Sequence, residues 1–83
     1  MGTPASETRV RLNYPIERVR EPVIYHLIRD YHLIPNVRTA NIDVHTGGVL
    51  VLDLSGEPED LAAGLGWLQS LGIRVESLPR EDE

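Results

Sequence analysis

The chain has 83 residues and no cysteine, and all 8 of its basic residues are arginine. This length suits one domain with one core. The missing residue types exclude disulfides, thiolate nucleophiles, cysteine-held zinc or iron–sulfur sites and lysine Schiff bases. A net charge of −5 argues against nucleic acid or an anionic membrane surface as a partner.

Residues 1–7 read as a disordered tail, 8–79 as the folded domain and 80–83 as an acidic C-terminal tail. The opening MGTPASE has neither a basic start nor an apolar run, so it predicts no signal peptide. No apolar segment approaches membrane-spanning length, so a cytoplasmic protein without membrane insertion is expected.

Thr8–Tyr14 alternates Val10, Leu12 and Tyr14 with Arg9, Arg11 and Asn13, the pattern of a strand with one buried face. Glu21-Pro22 then opens a helix, and Val23, Ile24, Leu27, Ile28 and Tyr31 form its apolar stripe. Pro35 forbids continuation, which places the end near His32. Asn36–His45 is a poorer strand whose only core candidates are Val37, Ala40, Ile42 and Val44. Its phase slips between Val37 and Ala40, which predicts a bulge and an edge position. Thr46-Gly47-Gly48 supplies a turn. Val49–Leu54 is apolar on both faces and is expected to be central.

Pro58, Glu59 and Asp60 mark a second helix start, and Leu61, Leu65 and Leu68 its inner stripe. Gly64 and Gly66 inside it suggest a close backbone approach. Gly72 is the expected C-terminal cap, and Ile73–Leu78 a last strand. The order β-α-β-β-α-β with short connections predicts an α+β, ferredoxin-like fold. In it, a four-stranded antiparallel sheet carries both helices on one face.

Residue types give little support for catalysis. Ser55, Ser70 and Ser77 lie in a turn, at a helix end and on a strand, none in a nucleophile elbow, so no catalytic residue and no enzyme activity are expected. His26 and Asp30, at i and i+4, read as a surface ion pair rather than metal ligands. His32 is six residues from His26, about 240° around a helix, so the two cannot chelate together. His45 reads as a solvated strand end, and Trp67 as partly buried at the seam between the helices. No cofactor or metal is expected. The sheet face away from the helices would show Arg9, Arg11, Asn13, Val49, Val51, Asp53, Arg74 and Glu76. A small apolar centre ringed by mixed charge suits a dimer contact or docking surface, with Arg11, Val49, Val51 and Asp53 as candidate interface residues.

The run Asn36-Val37-Arg38-Thr39-Ala40-Asn41-Ile42, followed by Gly-Gly and the strand LVLDLSG, resembles the NIL domain. So do the opening RVRLNYP…EPVIYHLIRDY and the closing LGWLQSLGIRVESL, which together span residues 8–78. The family takes its name from an Asn-Ile-Leu triplet and has a ferredoxin-like, ACT-like fold. It stands at the C-terminus of methionine-importer ATPases, where it binds methionine and regulates transport, and beside ferredoxin-type domains. The triplet here is Asn36-Val37-Arg38, with a guanidinium in place of leucine.

The resemblance implies a regulatory domain that binds a small amino acid between paired subunits. Asn36, Val37, Arg38, Ala40 and Asn41 would form the ligand site. Asn36 would bond the amino or carboxylate group, and Arg38 would add a carboxylate clamp. The alternative is a protein-interaction module that docks on a transporter, an enzyme or an iron–sulfur protein through its open sheet face or edge strand.

Overall fold

The computed structural model describes residues 6–79. The N-terminal tail up to residue 5 and the C-terminal residues 80–83 lie outside the described residues. The elements run β1 (Ser6–Tyr14), a 3-10 turn (Ile16–Arg18), α1 (Val23–Arg29), β2 (Ile34–Asp43), β3 (Gly47–Gly56), α2 (Pro58–Ser70) and β4 (Arg74–Leu78). The strands form one antiparallel sheet in the order β2-β3-β1-β4, so the most apolar strand, β3, is central beside β1, and β2 is an edge. The fold is the ferredoxin-like α+β arrangement that the element order predicts.

Strand parity sets the core. Val10, Leu12 and Tyr14 of β1 and Leu50, Leu52 and Leu54 of β3 are buried on the helix side. Val23 and Leu27 of α1, Leu61 and Leu68 of α2, and Leu33 and Ile73 at the ends of the connections close over them. Gly64 lets the helices meet: a Cβ there would lie 2.8 Å from Leu33 Cδ1 and 3.3 Å from Leu27 Cδ2. Gly66 faces open space, so the expected close approach belongs to Gly64 alone.

The end of α2 follows from Gly72. Its φ of +84° lets its N–H bond the Gln69 carbonyl at 3.0 Å while Ile73 N–H reaches Leu68 at 3.2 Å. That is the Schellman closure, with Leu68 and Ile73 both buried. Arg18 reinforces it, donating from Nε to the Leu71 carbonyl at 2.9 Å.

Three expectations require correction. The first helix ends at Arg29 rather than near His32; His32 has φ +57° and turns the chain so that Leu33 enters the core. Ser6 and Glu7 belong to β1 rather than to a disordered tail. Val37, Ala40, Ile42 and Val44 are exposed, as is Ile28. α1 is only seven residues long, about 10 Å, and leaves these β2 side chains uncovered.

Candidate functional site

β2 is irregular where the sequence slips. Val37 faces Leu52 and Thr39 faces Val51, so Arg38 is the extra residue of a bulge with no partner in the ladder. Before the bulge Asn36 lies opposite Asp53 on the open face; after it Thr39 and Asn41 lie on that face opposite Val51 and Val49. One added residue thus puts Asn36, Thr39 and Asn41 on the open face and Val37, Ala40 and Ile42 on the other.

Among the described residues, Asp53 is the one buried charged residue, 3% exposed although it faces away from the helices. Arg9, directly opposite on β1, covers it, donating from Nε to Oδ1 at 2.7 Å and from Nη2 to Oδ2 at 3.2 Å. The bulge residue Arg38 reaches the same carboxylate from β2, Nη1 to Oδ2 at 3.1 Å. The Arg9 hydrogen bonds, with the charges of both guanidiniums, hold the Asp53 carboxyl below the ordinary aspartate value despite burial. Arg9 is itself nearly covered, its side chain 13% exposed, whereas that of Arg38 is 42% exposed.

The candidate interface residues share this face but differ in availability. Asp53 lies beneath two arginines. Arg11 pairs with Glu76 at 2.8 Å, Val51 is partly covered and Val49 is open. Of the candidate ligand residues, Asn36, Arg38 and Asn41 lie at the open face of β2, while Val37 and Ala40 face the helix side opposite Leu52 and Leu50. Asn41 also borders a cleft of about 380 Å³ at the hairpin end, with Asn13, Asp43 and Thr46; Asn36, Val37, Arg38 and Ala40 lie outside it. The cleft was not legible in the sequence, because it needs β1 and the turn side by side.

On the helix layer, His26 Nδ1 lies 2.9 Å from Asp30 Oδ2, the expected ion-pair geometry. Trp67 bridges the helices, with ring centroids 5.5 Å from His26 and 5.6 Å from Tyr31. This is the seam expected for it. Among the described residues no three His, Asp or Glu side chains gather as metal ligands, and no helix is long and apolar enough to cross a membrane.

The architecture is that of a ferredoxin-like domain with a bulged, uncovered edge strand. Residues 8–77 match the NIL domain model, and the chain belongs to the NIL domain family. It is also similar to the crystal structure of the C-terminal domain of an ABC transporter ATP-binding protein from Enterococcus faecalis. The two are 26% identical over 89% of this chain and 86% of that one, with a TM-score of 0.76. No curated protein matches.

Proposed function

We propose that the chain is a regulatory domain that binds a small amino acid through β2, without catalysis, at a contact between paired subunits. The reading rests above all on the bulge, which leaves a ladder-free residue between Asn36 and Thr39 on an uncovered edge. Bulges re-aim side chains beside binding sites. Asn36 offers a carboxamide for an amino or carboxylate group, and the bulged backbone at Arg38 offers further partners. Methionine is one candidate ligand. The similarity to a transporter's C-terminal domain supports action on an ATP-binding subunit, which would place the chain in the cytoplasm. Calorimetry and thermal shift with the twenty amino acids test the reading: saturable binding of at least one, weakened at least ten-fold by Asn36→Ala, is expected. No heat and no shift with any of them rejects it.

A second reading, docking of a partner protein on the edge or the open face, is favoured by the exposed apolar residues of β2. Ile34 is 68% exposed, and Val37 and Ile42 are each about half exposed. Such an edge accepts a further strand. A partner retained by the wild type and lost on Val51→Arg would favour this reading; retention by both would count against the open face.

A further inference from the structure

Resting on the reading that β2 binds an amino acid, we propose that Arg38 selects a ligand with a second carboxylate, so that the site takes an acidic rather than an apolar amino acid. Three observations carry this. Arg38 has no ladder partner, so the bulge fixes its backbone while its side chain lies on the open face beside Asn36. Arg9 bonds both carboxylate oxygens of Asp53, at 2.7 and 3.2 Å, and Arg38 shares only Oδ2, at 3.1 Å. Arg38 can therefore leave Asp53, or share it, without stranding a buried charge, and it is the more exposed of the two arginines. The structure thus holds one arginine as a fixed counter-ion and a second as a releasable one.

The charges give the same sign. Arg38 brings a second guanidinium to a carboxylate whose two oxygens Arg9 already bonds. A zwitterionic apolar amino acid has no net charge to match it, whereas aspartate or glutamate brings one negative charge. The next acids on this face are Asp43, five residues along β2 from Arg38, and Glu7 on β1, to which Ser55 Oγ donates at 3.4 Å. By strand spacing each lies on the order of 15 Å from the Arg38 Cα, where solvent screening weakens its repulsion. Asn36 and Arg38 are two positions apart on the strand, about 6.6 Å between Cα atoms. A dicarboxylic amino acid bridges that span with its head group at Asn36 and its side-chain carboxylate forked by the guanidinium.

Titration calorimetry of the full chain with glutamate, aspartate and methionine, on the wild type, Arg38→Leu and Arg38→Lys, tests the proposal. The wild type is expected to bind glutamate or aspartate at least ten-fold more tightly than methionine, with affinity falling as salt rises. Arg38→Leu should invert that preference, and Arg38→Lys should keep its sign with a smaller ratio. Far-ultraviolet circular dichroism verifies that each variant is folded. A wild-type preference for methionine, or a ratio unchanged in Arg38→Leu, overturns the role of Arg38 and leaves the amino-acid reading standing. Absence of binding to any protein by any of the three ligands overturns the proposal as stated; the twenty-amino-acid panel then decides separately whether the underlying reading falls with it.

Discussion

Replacing Asp53 by asparagine is the sharpest test of the open-face architecture. The carboxamide keeps the shape but loses the charge, and its amide group cannot accept from both donors of Arg9. Arg9 is 13% exposed, so its largely desolvated guanidinium would lose the carboxylate that takes two of its hydrogen bonds. Removing one partner of a fully buried ion pair costs about 3–5 kcal/mol, and an exposed pair about 0–1 kcal/mol. Both Asp53 pairs are part-buried and lie between these limits, so a loss of about 2 kcal/mol is expected. For a domain of this size that lowers the melting midpoint by roughly 8–16 °C. The pH dependence adds a second check. The folded carboxyl titrates below its ordinary value of 3.8, chiefly because of the Arg9 hydrogen bonds. Its contribution is therefore complete above that value and is lost as the pH falls through the lower folded value. Urea unfolding followed by Trp67 fluorescence should show a gap between wild type and Asp53→Asn at neutral pH that narrows below about pH 4. Equal stability at neutral pH, or a gap that persists unchanged in acid, would refute the reasoning.

Other substitutions probe the rest of the frame. Gly66→Ala should stabilise by about 0.5–1 kcal/mol, since its Cβ enters open space on a helix; Gly64→Val should destabilise by about 1–3 kcal/mol by wedging Leu33 from Leu27. Paired urea titrations measure both. Gly47→Ala should cost at least about 2 kcal/mol, because φ is +108° and the new Cβ would lie 2.5 Å from the Tyr14 carbonyl oxygen; the same titration checks it. Burial pushes the Tyr14 phenol from 10.0 up to about 12. Its stabilising effect is therefore intact below pH 10.0 and is lost as the pH rises toward 12. Tyr14→Phe should flatten that alkaline decline, which denaturation curves on both sides of pH 10.0 would show.

The frame was legible because each strand states its own parity. Val10, Leu12 and Tyr14, and Leu50, Leu52 and Leu54, alternate without fault, and the fault in β2 was legible as a bulge for the same reason. What depends on distant partners was not legible. Asp53 alternates with leucines and reads as solvent-facing; its burial comes from Arg9, 44 residues away, and Arg38, 15 away. The exposure of Val37 and Ile42 likewise depends on how far α1 reaches, and the residues up to His32 give no sign that the helix stops at Arg29. The left-handed turn at His32 is a backbone state that histidine does not announce.

The bulge links these two layers of information. In a regular strand, Ala40 and Ile42 would share a face with Asn36, and the open side of β2 would alternate polar with apolar. The one-residue insertion at Arg38 sends Ala40 and Ile42 to the helix side and leaves Asn36, Arg38, Thr39 and Asn41 together on the other. The same step carries the Arg38 guanidinium to a carboxylate that Arg9 already neutralises. A polar edge that carries an exposed guanidinium is therefore a consequence of register, not of composition. In a chain with net charge −5, that guanidinium is the feature on this edge that a small anionic ligand would detect.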